Sequence, residues 1–121
     1  MNKDFKIELE NFGIEDDFGY VGYDYKVYVD GNHLMNLFQT CVACPEQYDL
    51  ISLLDNKQIA YFRLRWGSFR VDVPDVDGER IYDKCFDDGF KGSFNEEERE
   101  EELIKAIRVV VENLRKENDY E

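Results

Sequence analysis

The chain is poor in the residue types from which catalytic, metal-binding and membrane-spanning segments are usually recognised. It has one histidine, three cysteines and two prolines, and no apolar run approaches the roughly 18 residues that a membrane span requires. Basic residues are scarce too: 15 lysines and arginines stand against 28 aspartates and glutamates, a formal net charge of −13. The electrostatic field of a protein with this net charge repels polyanions, so we expect neither a nucleic-acid nor a membrane partner.

These scarcities also bear on location and catalysis. Residues 1–10 contain no apolar stretch typical of a secretory signal, and three cysteines cannot all pair in internal disulfides. Both observations favour a reducing, cytoplasmic location. His33 has no evident acid and nucleophile partners, and no phosphate-binding glycine loop is present. We therefore expect a protein that is not an enzyme and needs no cofactor.

The sequence does contain enough apolar residues for a packed core. Hydrophobic residues make up 43% and aromatic residues 15% of the 121 positions. We expect a single domain over residues 1–121, with residues 117–121 frayed.

Alternation of apolar and polar residues predicts several strands. Residues 5–9 and 21–29 alternate, and the second run ends at Asp30-Gly31, a dipeptide that favours a tight hairpin turn. Residues 58–74 predict two more strands, joined at Gly67-Ser68, with five side chains in the core: Phe62, Leu64, Trp66, Phe69 and Val71. Residues 46–54 are interpreted as a short helix after Pro45, with a short strand as the alternative.

The C-terminal part predicts a long helix from about Asn95 to Lys116. Its apolar residues recur at helical spacing, and its start is marked by a capping pair, Ser93 with Glu96 or Asn95 with Glu98. Strands followed by one long helix define the expected fold class. We predict an α+β protein, in which an antiparallel sheet built from hairpins packs one face against the helix.

The cysteines offer one possible site. Cys41 and Cys44 form a CxxC motif, and with Cys85 and His33 they would complete a set of zinc ligands. A thiol-redox role would require the motif to lie between a strand and a helix. Because a single CxxC lacks a second pair, two inert, partly buried cysteines are the simpler interpretation.

Charged side chains offer a second possible site. Strand alternation predicts that Arg63, Arg65 and Arg70 share one sheet face with Tyr61, where they would bind acidic or phosphate-bearing groups. Pairing within the protein, to Asp72, Asp24 and neighbouring glutamates, is the simpler interpretation. Acidic and aromatic candidates for contact with a basic partner are Asp16, Asp17, Tyr20, Tyr28, Glu97, Glu98 and Glu101.

At the level of class, a small acidic protein without catalytic motifs resembles the immunity proteins that bacteria keep against their own toxins. It also resembles acidic phage inhibitors of nucleic-acid enzymes. The segment Asp49–Pro74, with its Leu53-Leu54 pair and arginine-rich hairpin, is similar to parts of small bacterial proteins of this kind. The resemblance implies a protein that occludes a basic partner such as a toxin. The alternatives are a zinc or thiol-redox module and a small-molecule-binding or oligomerisation domain with exposed tyrosines.

Overall fold

The computed structural model describes residues 5–13, 23–41 and 46–118, which form seven strands and one helix. The elements are β1 Ile7–Asn11, β2 Tyr25–Val29, β3 Asn32–Cys41, β4 Glu46–Ser52, β5 Gln58–Arg65, β6 Ser68–Val73, β7 Glu79–Cys85 and α1 Glu96–Asn118. The predicted α+β class is confirmed. Asp16, Asp17, Tyr20 and Cys44 lie outside the described residues, as do Val21 and the end of the tail at 119–121.

The seven strands pair in sequence order, each antiparallel to the next. The predicted hairpin between β2 and β3 is confirmed. Its turn residues Asp30 and Gly31 have φ values of 51° and 84°, and Val29 pairs with Asn32 across the turn. This left-handed conformation is what an Asp-Gly turn supplies at little cost. β7, Glu79–Cys85, pairs with β6 and ends the strand order.

Alternation places one face of the sheet against the helix. Phe62, Leu64, Phe69 and Val71 are fully buried, as predicted. From α1 the core receives a stripe of apolar side chains, Leu103, Ala106, Ile107, Val110 and Val111. Each such burial stabilises the fold by roughly 1.5–3 kcal/mol.

The prediction for Trp66 is wrong, because this side chain does not lie in the core. It is 64% exposed. The β5–β6 turn is Trp66-Gly67, since Arg65 pairs with Ser68, and not Gly67-Ser68. Moving the turn by one residue takes Trp66 out of the alternating strand and onto the tip of the hairpin.

The interpretation of residues 46–54 as a helix is also wrong. Residues 46–52 form β4, which pairs with β3 and β5, and Leu53 and Leu54 follow in an exposed turn. Tyr48 and Leu50 point into the core with period two. Burial against two neighbouring strands overrides the local preference of this segment for a helix.

An ion pair in the interior ties the start of α1 to β4. Glu46 is fully buried and accepts hydrogen bonds from Arg99 Nε at 2.7 Å and from the backbone N–H of Phe94 at 2.9 Å. The Tyr48 hydroxyl also donates to Glu46. The helix begins with a capping contact, in which the Asn95 N–H donates to the Glu98 carboxylate at 2.8 Å. Of the two predicted capping pairs, the structure has Asn95 with Glu98.

The helix packs across the sheet and contacts both of its edge strands. Its backbone approaches β1 and β7, the two edge strands, so the sheet curves around it. On the β1 side, Arg108 donates a hydrogen bond to the Phe5 carbonyl at 2.7 Å. On the β7 side, Lys84 Nζ lies 2.8 Å from Glu102. These contacts hold the helix at both ends of the strand order.

Candidate functional site

The outer face of the sheet carries an arginine cluster, as predicted. Strand register places Gln47, Arg63, Arg70 and Asp83 in one row across β4 to β7, with Arg63 directly opposite Arg70. Arg65 lies at the end of β5. Like charges that face each other across two strands are destabilising, so the pairing of Arg63 with Arg70 is not explained by sheet stability.

The expected pairing of these arginines with carboxylates is not seen. In the part of the chain that the structure describes, no carboxylate oxygen lies within 4.0 Å of a guanidinium nitrogen of Arg63, Arg65 or Arg70. Asp72, the expected partner, instead pairs with Arg80 at 3.3 Å. The cluster therefore keeps a net positive charge on the surface of an acidic protein.

Neighbouring polar groups hold two of the arginines in place. Arg70 Nε donates to Ser68 Oγ at 3.1 Å, and Ser68 Oγ donates to Asp83 at 2.8 Å. Burial raises the pKa of the Tyr61 phenol, and the charge and hydrogen bond of Arg63 oppose that rise. Tyr61 thus belongs to the same surface as Arg63, as the alternation predicts.

An exposed aromatic pair lies beside the arginines. Trp66 and Phe90 are 64% and 82% exposed, and their ring centroids are 6.3 Å apart in an edge-on arrangement. The Arg65 guanidinium lies 5.8 Å from the Trp66 ring. Two large, solvent-exposed aromatic side chains beside arginines have the composition of a binding hot spot.

Gly67 brings the two aromatic residues together. Its N–H donates to the Lys91 carbonyl at 2.8 Å, and its carbonyl accepts from the Phe86 N–H at 2.7 Å. A Cβ at this position would lie 2.5 Å from the backbone oxygen of Asp88. Only glycine therefore lets the loop that carries Phe90 dock on the turn that carries Trp66.

A small cleft lies among these groups. It has a volume of about 50 Å³ and is lined by Arg63, Arg65, Trp66, Ser68 and Arg70. We call these five residues together with Phe90 the arginine–aromatic surface. The cleft has room for one small anionic group, and guanidinium groups bind carboxylates and phosphates through paired hydrogen bonds.

The acidic and aromatic candidates that the structure describes lie on other elements than the arginine cluster. Glu97 and Glu101 are exposed on the first turns of α1. Glu98 is half-buried, because it caps the helix and pairs with Lys91. Burial acts to raise the Glu98 pKa, but the Lys91 and Asn95 hydrogen bonds outweigh it and lower the pKa. Tyr28 donates to Glu10 at 3.0 Å on β2, three strands or ~14 Å from β5.

Of the proposed metal ligands, the structure describes His33, Cys41 and Cys85, which are spread over the sheet. His33 and Cys41 occupy opposite ends of β3, roughly 26 Å apart at the usual rise per residue. His33 instead lies 2.8 Å from Asn36 Oδ1, and Cys85 ends β7. Among residues 5–13, 23–41 and 46–118, no group of three or more histidine, cysteine or acidic side chains is placed to hold a metal. The redox interpretation loses its helix, because a strand follows the CxxC motif.

A larger cavity of about 320 Å³ lies between the sheet and the second half of α1. Its lining is mostly apolar: Ile59, Val73, Pro74, Glu79, Val110, Asn113 and Leu114. It contains no tyrosine, so the expected groove of exposed tyrosines does not correspond to it. Glu79 and Asn113 are the polar side chains of this lining, fewer than the arginine–aromatic surface offers.

Sequence reasoning found the arginines but missed Trp66, Ser68 and Phe90. For Trp66 a signal existed: glycine in the second position of a two-residue turn places the preceding residue at the tip. Phe90 gave no such signal. Its contact with Trp66 depends on how the loop after β7 folds back on the turn.

Comparisons with known proteins do not extend this description. No known protein family, curated protein or solved structure matches the chain. In the part of the chain that the structure describes, α1 is not long and apolar enough to cross a membrane, and it is the one helix there.

Proposed function

We propose that this protein is a non-enzymatic binding protein that occludes a functional surface of a partner protein, as immunity proteins and inhibitors do. The arginine–aromatic surface is the observation that carries the proposal. Trp66 and Phe90 are held in contact with each other while exposed, and the adjacent arginines have no carboxylate partner in the described residues. Exposed tryptophan and arginine contribute most of the affinity in many interfaces.

We further propose that the partner is basic overall. The net charge of −13 favours encounter with a positively charged protein, and Glu97 and Glu101 add exposed carboxylates on a rigid helix. Long-range attraction of this kind raises the association rate and weakens as salt is added. A toxin that acts on nucleic acid has the required charge.

Affinity capture from a lysate of the source cells tests this proposal. The wild type is compared with a Trp66→Ser, Phe90→Ser variant and with Leu54→Ser. Leu54 is the matched control, since it is 96% exposed and lies in the β4–β5 turn, at the opposite end of β5 from Trp66.

We expect a stoichiometric partner that is retained by the wild type and by Leu54→Ser but lost by the double variant. Its association rate should fall as salt is raised, while its dissociation rate changes little. Equal retention by both variants would refute the assignment of the surface. An acidic partner, or an association rate that ignores salt, would refute the proposed charge of the partner.

A further inference from the structure

We infer that Arg63, Arg65 and Arg70 form a carboxylate-binding cleft that binds one acidic side chain of the partner. Trp66 and Phe90 would contact the apolar residues of the partner beside that acidic side chain. This inference rests on the proposed function, because it assigns a ligand to the surface through which the partner is bound. It also implies a reversal of charge within the interface: an acidic protein presents its basic spot to an acidic group on a basic partner.

The facing arginines are the first observation. Arg63 and Arg70 are directly paired across β5 and β6, so their Cβ atoms are ~5 Å apart. In the described residues neither has a carboxylate partner. A carboxylate that enters between them replaces a repulsion by charge-assisted hydrogen bonds. The ligand-free arrangement is thus the less favourable one, and binding relieves it.

The fixed position of Arg70 is the second observation. Its Nε is bound by Ser68 Oγ, which is itself anchored by Asp83, while the remaining guanidinium N–H groups have no partner in the described residues. A side chain that is already restrained loses less conformational entropy on binding. Asp83 lies opposite Arg70 but contacts it through the Ser68 hydroxyl and not directly. One carboxylate offsets part of the charge of three arginines, so the cleft stays positive.

A protein carboxylate fits the cleft better than a nucleic-acid backbone. The cleft of about 50 Å³ has room for one anionic group and is not a groove that follows a chain of phosphates. The net charge of −13 opposes a polyanion over long distances but opposes a single carboxylate on a basic partner far less. The exposed Trp66 and Phe90 rings then suit apolar residues beside the acidic one.

Selection of short random peptides on the immobilised full-length protein tests the inference without knowledge of the partner. Trp66 is the single tryptophan, so its fluorescence reports directly on binding at this surface. The best peptide and its Glu→Gln (or Asp→Asn) form are titrated against the wild type and against a double variant, Arg63→Gln with Arg70→Gln. The control variant is Arg80→Gln, since Arg80 pairs with Asp72 on the neighbouring strand and does not line the cleft.

We expect selected peptides to share an acidic residue next to an apolar one. Neutralising that residue should weaken binding at least about tenfold to the wild type and to Arg80→Gln, and hardly at all to the double variant. Far-ultraviolet circular dichroism and the melting temperature establish that the double variant is folded.

Other outcomes separate this inference from the proposed function. Peptides that lack acidic residues, or an equal loss in all three proteins, would overturn the carboxylate cleft and leave a protein-binding surface in place. Tighter binding of an oligothymidine than of any peptide would overturn both. If no peptide alters Trp66 fluorescence while the partner from lysate still requires Trp66, the cleft is overturned and the proposed function stands.

Discussion

Replacing Trp66 by asparagine should remove binding without a loss of stability. Trp66 has a φ of 53°, in the left-handed region that side chains with a Cβ adopt at a cost of roughly 1–2 kcal/mol. Asparagine tolerates this conformation, and Asn-Gly is a preferred sequence for a two-residue turn of this kind. A tryptophan at the tip therefore strains the turn, and its presence calls for an explanation outside the fold.

The magnitude follows from what the ring contacts. Removing it gives up the exposed contact with Arg65, about 0.5–1 kcal/mol, and the edge-on contact with Phe90, about 0.5 kcal/mol at such exposure. Relief of the left-handed strain offsets these losses. We expect Trp66→Asn to change the free energy of unfolding by about −0.5 to +1 kcal/mol. Trp66→Ala, which loses the ring and keeps the strain, should be about 1 kcal/mol less stable than Trp66→Asn.

Urea unfolding followed by far-ultraviolet circular dichroism measures these differences and does not depend on the tryptophan signal. Phe69→Ala serves as a core reference, since Phe69 is fully buried and its truncation should cost about 3–5 kcal/mol. If Trp66→Asn loses more than about 1 kcal/mol, Trp66 is a structural residue and the strain argument fails.

Two further predictions concern the interior. Arg99→Met should destabilise the protein by about 3–5 kcal/mol in urea unfolding, because it leaves Glu46 charged and buried, and Glu46→Met with Arg99→Met should recover most of that loss. If Arg99→Met alone were as stable to unfolding as the double variant, this account would be contradicted. Burial raises the pKa values of Tyr25 and Tyr48 well above their usual 10.0, so above pH 10 the unfolded chain loses these protons while the folded chain keeps them. Stability should therefore fall by about 3 kcal/mol between pH 9 and 11, and tyrosinate absorbance should show two groups that titrate only on unfolding; constant stability would refute it.

The fold was predictable where a residue's environment depends on local alternation. Hairpin strands and the long amphipathic helix satisfy this condition, because the pattern that predicts each of them lies within its own residues. Residues 46–52 do not satisfy it. They are central in the sheet, and the reason that they form a strand is the presence of β3 and β5 on either side.

The candidate site divides in the same way. The shared face of Arg63 and Arg70 follows from strand period alone. Within the described residues the arginines have no carboxylate partner, and this does not follow from strand period. It depends on the pairing of Asp72 with Arg80 and on the position of Ser68 between Arg70 and Asp83. The buried partnership of Glu46 with Arg99 spans 53 positions and has no local signature. Long-range polar contacts are decided by the assembled core.

The order in which the chain is made gives a consequence of the strand arrangement. Every strand after β1 pairs with the strand synthesised just before it, so the sheet can grow strand by strand during translation. The helix is made last, and one of its contacts, from Arg108 to the Phe5 carbonyl, spans 103 positions. Until α1 is complete, the apolar face of a finished sheet stays open to water. A nascent or prematurely terminated chain is thus the aggregation-prone species of this protein.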